Sequence, residues 1–193
     1  MQWSECLKPM SLIFLDFRGP GSVAGGMETQ AQERFLRPTS TQTGQIAEAS
    51  VASGLILASG GRLAPFRPFA DDDGIDLLIY DKATRRSVPV QVKARTGLDN
   101  DRTGTVQFDV RLATFAAEGA GFIAAVLMEG AAVQLAWLIP TEEFAEVARS
   151  GKEKLVMVAS AKPGSSDRYR AWRHDGMTSL AGALINHFEH ATG

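Results

Sequence analysis

The stretch from Ala70 to Arg95, ADDDGIDLLIYDKATRRSVPVQVKAR, constrains this chain more than any other. Ile75 to Asp81 alternates, with Ile75, Leu77 and Ile79 on one side and Asp76, Leu78 and Tyr80 on the other. Val88 to Ala94 does the same: Val88, Val90 and Val92 form an apolar row, and Pro89, Gln91 and Lys93 share the opposite face. The connection, Lys82 to Ser87, is polar and charged, as a solvent-facing turn should be. Two alternating runs around such a connection predict a β-hairpin. Directly opposed residues of an antiparallel pair share a face. With Tyr80 set against Pro89, Asp76 falls opposite Lys93, and Gln91 lies one step away. The hairpin then carries a carboxylate, an amide and an ammonium on one surface. An ionised group in an otherwise apolar strand is costly unless paired or metal-bound. The residues therefore leave two readings open, a cross-strand Asp76–Lys93 ion pair at a sheet edge or a functional site.

Upstream, Gln45 to Ser59 reads as a helix, with Thr43 as its N-cap and Gly60-Gly61 ending it. At helical spacing Val51, Ala52 and Leu55 share a face with Glu48. A carboxylate on a core-facing stripe needs a partner, and the hairpin is the nearest place for one. The alternative is that Glu48 stands at the edge of the stripe and reaches water.

Taken in order, Glu48 on a helix, then Gly-Ile-Asp-Leu-Leu-Ile, a short turn and Val-Gln-Val-Lys resemble the core of the PD-(D/E)xK nuclease superfamily. The variant it resembles has Gln in place of the second acid, as in type IV restriction endonucleases of the Mrr kind. Archaeal Holliday-junction resolvases share the layout but usually keep an acid there. The resemblance spans Gly44 to Thr141. It implies an α/β, restriction-endonuclease-like fold, a mixed β-sheet of four to five strands flanked by helices. It also implies a Mg²⁺-dependent (or Mn²⁺-dependent) DNA endonuclease, in restriction, phage defence or repair. On the family pattern Asp76 binds the metal directly, Glu48 binds it directly or through water, and the backbone carbonyl of Val92 completes the site. Lys93 orients or polarises the attacking water. Gln91 supplies a neutral oxygen where most relatives supply a charge, which weakens metal affinity. One of Asp71, Asp72 and Asp73 could join Asp76 at the metal. Many duplex-cutting relatives are two-fold dimers, so a homodimer or a partner subunit is expected. The alternative function is a non-catalytic member of the same fold that binds nucleic acid or another protein.

Composition limits these readings. A net charge of −2 is not the strongly basic balance of a DNA-coating protein, so any nucleic-acid contact needs a local patch. Lys162 to His174, KPGSSDRYRAWRH, is one candidate, since interleaved Arg and aromatic residues suit phosphate pairing and base stacking. The bland reading of that segment is a solvated strand or loop with Trp172 packed inward. Cys6 is the only cysteine, which excludes an internal disulfide and fits a reducing cytoplasm. No apolar run approaches the length of a membrane span.

The remaining elements follow from pattern. Arg62 to Phe66 and Thr105 to Arg111 read as strands, Leu112 to Ala120 as a short helix, and Phe122 to Met128 as a buried strand. Val133 to Ile139 reads as the antiparallel neighbour of that strand. Thr141 caps a helix running to about Arg149, Lys154 to Ala159 is another strand, and Met177 to Ala191 is a closing helix with surface histidines His187 and His190. His174 has no metal-ligand spacing to them. Residues 1–43 are expected to be a tail and 44–193 one domain, with Leu12 to Phe17 alternatively an added edge strand.

Overall fold

Thr39 starts the first described helix. Its hydroxyl accepts the Gln42 backbone N–H at 3.2 Å and the Gln42 side chain accepts the Thr39 N–H at 2.9 Å, a reciprocal capping box. The helix, α1, therefore spans Ser40–Ala58, one turn earlier than a Thr43 cap would give. The computed structural model describes residues 38–70, 74–115 and 121–190. The tail expected over 1–43, with Leu12 to Phe17, lies outside the described residues as far as residue 37, and so do Asp71, Asp72 and Asp73.

After α1 come β1 (Leu63–Phe66), β2 (Leu77–Asp81), β3 (Arg86–Arg95), β4 (Thr105–Arg111), β5 (Phe122–Glu129) and β6 (Ala132–Pro140). Then follow α2 (Thr141–Val147), β7 (Arg149–Ser150), β8 (Lys154–Ser160), β9 (Arg173–Asp175) and α3 (Gly176–His190). The main sheet has the order β1-β2-β3-β5-β6-β9, and β4-β8-β7 form a second sheet. The main sheet is mixed, because β3 and β5 run parallel while its other pairs are antiparallel. It holds six strands instead of the expected four to five, because the short β9 adds to the edge at β6. β4 is absent from it and pairs instead with β8, setting Phe108 against Met157.

The alternation of the strands divides the core in two. Leu77, Ile79, Val88, Val90 and Val92 face Ala47, Val51 and Leu55 of α1 and Leu180, Leu184 and Phe188 of α3. Ile123, Ala125, Trp137 and Ile139 face the second sheet, where Phe108, Met157 and Phe144 pack. Each fully buried Val or Leu contributes roughly 1.5–3 kcal/mol. Val51 and Leu55, both 1% exposed, thus hold α1 on the sheet although Ile46, Ile56 and Leu57 of the same helix stay exposed.

The hairpin forms, with a different register from the expected one. Leu77 pairs with Val90, Leu78 with Pro89 and Tyr80 with Ser87. The connection is shorter than Lys82 to Ser87, because the Asp81 carboxylate gathers it: it accepts the Ala83 and Thr84 N–H groups at 3.2 Å each and the Thr84 hydroxyl at 2.8 Å. Arg85, at φ 59°, closes the turn and Arg86 already pairs with Asp81. The slip is by an even number of residues, so every side chain keeps its face while its partner changes.

Smaller expectations are corrected too. Pro140, not Thr141, precedes α2 and makes no side-chain cap, and Thr141 is a buried first-turn residue beside Glu142 and Glu143. The helix expected from Leu112 to Ala120 is a single 3-10 turn, Leu112–Thr114, within its described part; 116–120 lie outside. His187 is half-buried, edge-on to Phe122 with ring centroids 4.9 Å apart. Burial lowers its pKa, and Arg86 lowers it further.

Candidate active-site cleft

The β2–β3 ladder ends at Leu77 and Val90, and Asp76 stands just beyond it. Its N–H still donates to the Val90 carbonyl at 3.1 Å, and its side chain continues the ladder, with Oδ2 accepting the Val92 N–H at 2.6 Å. In an extended strand the N–H and C=O of one residue leave by the same edge. The Val92 carbonyl therefore also faces the side on which β2 has ended. On its other edge β3 stays paired with β5, Val92 with Ala124 and Lys93 with Ala125. Strand divergence opens a space there without breaking the sheet.

Asp76 thus sits against Val90 and Val92 of β3, beyond the paired register. Among the described residues Lys93 enters no ion pair, so the cross-strand Asp76–Lys93 bridge does not form. Lys93 is half-buried on β3. Gln91 is buried, 7% exposed, beneath Gly74. That glycine has φ +65°, and a Cβ there would lie 2.6 Å from Gln91 Nε2 and 2.4 Å from the Thr114 carbonyl oxygen. The Gly of Gly-Ile-Asp is thus required both by its backbone and by the close approach of its neighbours.

Glu48 reaches the same region from α1. Thr41, Gly44, Gln45 and Glu48 lie at helical spacing and, with Arg67 after β1 and Asp76, line an open cleft of about 360 Å³. The structure thus brings Glu48 and Asp76 to one cleft, while Gln91 and Lys93 do not line it. Glu48 is neither bound to the hairpin nor simply hydrated: its Oε2 pairs with the Arg67 guanidinium. Arg67 lies outside the Glu48, Asp76, Gln91 and Lys93 pattern of the sequence. The signal was the helix acid itself, which demanded a partner, and the connection after β1 supplies a cation.

Two carboxylates and a carbonyl edge are hard oxygen donors, the set that suits Mg²⁺ or Mn²⁺, and such ions keep several waters. No group of three or more Asp, Glu, His or Cys side chains that could hold a metal is found among the described residues. The donor set fits a sparsely liganded, hydrated cation.

The other polar centres are engaged elsewhere. In the basic loop Arg168 donates to the Val147 carbonyl, Arg170 to those of Gly164 and Ser165, and Arg173 to that of Lys162. Tyr169 is buried and Trp172 packs against the second core. This is the bland reading of that segment, a loop held by its own guanidiniums that runs into strand β9 at Arg173. His174 bonds Ser179 at 3.1 Å, with its pKa lowered by burial.

No family model matches the chain. No curated protein sequence matches it either. Its fold is similar to that of a bacterial homing endonuclease, I-Ssp6803I, with a TM-score of 0.52 and 19% identity, covering 78% of this chain and 94% of that one. Among the described residues no helix is long and apolar enough to cross a membrane.

Proposed function

We propose that this protein is a divalent-cation-dependent DNA endonuclease of the PD-(D/E)xK type, with its site at the end of the β2–β3 ladder. One observation carries the reading: Glu48, from a helix, and Asp76, just before β2, line one cleft, and Asp76 accepts the Val92 N–H of β3. The similarity of fold to a homing endonuclease supports it.

In this reading Asp76, Glu48 and the Val92 carbonyl hold a Mg²⁺ or Mn²⁺ ion. When bound, such an ion supplies an activated water and neutralises the charge that develops on the phosphate. Asp76 is positioned for this by its bond to the Val92 N–H, which uses one oxygen. Lys93, with no ion pair among the described residues, has its ammonium available to orient a water or stabilise charge. Gln91, buried with its amide against Gly74, adds no charge. Two strands of a duplex need two sites, so a homodimer or a partner subunit completes the proposal.

A second reading, a non-catalytic fold relative that binds nucleic acid or protein, draws on the neutral Gln91 and on the Arg67 that occupies Glu48. Nicking of supercoiled plasmid by the purified full chain with Mg²⁺ or Mn²⁺, absent with EDTA and absent in Lys93→Ala, is the expected result. A wild type that binds DNA and never cuts it under either metal would select the second reading.

A further inference from the structure

We propose that Arg67 is a positioning residue with two alternating partners: it holds the Glu48 carboxylate when the cleft lacks a cation, and it holds a phosphate of the nucleic acid once a cation has taken that carboxylate. This inference rests on the nuclease reading of the cleft and deepens it.

Three features carry it. First, the guanidinium sits on one of the two oxygens that the cation would need. A divalent cation at Glu48 and a guanidinium on the same carboxylate are like charges a few ångströms apart, and they repel. Second, Arg67 can move. Its side chain is 51% exposed, it lies on the connection after β1, and among the described residues Glu48 is its sole side-chain partner. Arg62, five residues earlier, offers the contrast, because Asp81 and Glu189 hold it from two sides. Third, the wall of α1 beside Arg67 leaves room for a ligand and offers it neutral donors. A Cβ on Gly44 would meet nothing within 4 Å, and Thr41 and Gln45 bring a hydroxyl and an amide to the same lining. A guanidinium fork with hydroxyl and amide donors is the chemistry that takes a phosphodiester oxygen.

The competition has a sign that can be measured without any cleavage. Removing the guanidinium frees Glu48 for the cation, yet deprives the nucleic acid of a contact. Mn²⁺ titration of the full chain, read by loss of the free-ion paramagnetic resonance signal, is compared for wild type, Arg67→Ala and Arg67→Lys. Binding of a fluorescent DNA duplex is then followed by anisotropy, with Ca²⁺ and with EDTA. Arg67→Ala should bind Mn²⁺ about two- to fivefold more tightly than wild type, the range of a partly exposed ion pair. It should bind the duplex about tenfold or more weakly in Ca²⁺, the worth of one charge-assisted phosphate contact, and no differently from wild type in EDTA. Arg67→Lys, which keeps the charge and loses the fork, should fall between the two. Wild type and Arg67→Ala binding Mn²⁺ equally, or Arg67→Ala binding it more weakly, overturns the inference and leaves the nuclease reading standing. A wild type that binds no Mn²⁺ overturns both.

Discussion

The two ends of strand β2 each carry an aspartate, and their surroundings could hardly differ more. At the turn end Asp81 is fully buried, receives Arg62 through both oxygens at 2.8 and 3.0 Å, and accepts three further bonds from the turn. Arg62 also reaches Glu189 of α3 at 2.7 Å, so this aspartate ties strand, turn and closing helix together. At the other end Asp76 is half-buried and lines a cleft. The lesson is that a strand carboxylate is not diagnosed by its alternation. Asp81 is a strut whose partners come from the turn and from Arg62, whereas Asp76 accepts the Val92 N–H and lines an open cleft.

Substitution at the two ends should separate catalysis from folding. Asp76→Asn keeps an acceptor for the Val92 N–H, so its melting temperature in EDTA should stay within about 2 °C of wild type, while plasmid cleavage falls by about 100-fold or more. Asp81→Asn should do the reverse, lowering the melting temperature by about 5–10 °C because it removes the buried charge that Arg62 bonds through two nitrogens. If both variants melt alike and low, Asp76 is a second strut and the contrast collapses.

Acid should act on the strut end. Arg62 holds the Asp81 carboxyl well below the usual carboxylate range, against burial, with Thr84 and Ala83 adding to the effect. Its folded pKa is thus below the unfolded value of about 3.9, so its contribution is fully present above roughly pH 4 and is lost as pH falls toward the depressed value. The gap in melting temperature between wild type and Asp81→Asn should therefore be constant near neutrality and narrow below about pH 4. A gap that does not narrow in acid would remove the ionised pair from the account.

Gly74→Ala probes the boundary between the two ends. It asks an alanine to adopt φ +65° within 2.4 Å of the Thr114 carbonyl, and should cost about 2 kcal/mol in chemical denaturation. The smallest effect is expected on the cleft wall. Gly44→Ala meets open space in a helix interior, so it should stabilise by about 0.5–1 kcal/mol. A loss of stability there would mean that the wall is packed and not open.

Much of the architecture was legible in local pattern. Thr105 to Arg111 forms the strand expected of it, because period-two alternation is set by burial on one face, and Phe122 to Met128, a continuous apolar run buried on both faces, pairs antiparallel with Val133 to Ile139. The second sheet was not legible, since β4 finds its partner in β8, far along the chain, and no local signal encodes that pairing. The register was missed because Asp81, read as the last residue of a strand, is also the cap of the turn. The start of α1 could have been read: Thr39-Ser-Thr-Gln42 is a capping-box pattern, passed over for Thr43. For the cleft, sequence order named Glu48 and Asp76, which share its walls, and left out Arg67, whose approach depends on the path of the chain after β1.

The account stands or falls on whether the cleft end of β2 takes a divalent cation. Thermal melts of wild type, Asp76→Asn and Asp81→Asn, each in EDTA and in Mg²⁺, measure this directly, because a cation bound to the folded state alone raises its melting temperature by mass action. Mg²⁺ should raise wild type and Asp81→Asn by similar amounts and leave Asp76→Asn unmoved. A wild type indifferent to Mg²⁺, or an Asp76→Asn protein that gains as much as wild type, would contradict it.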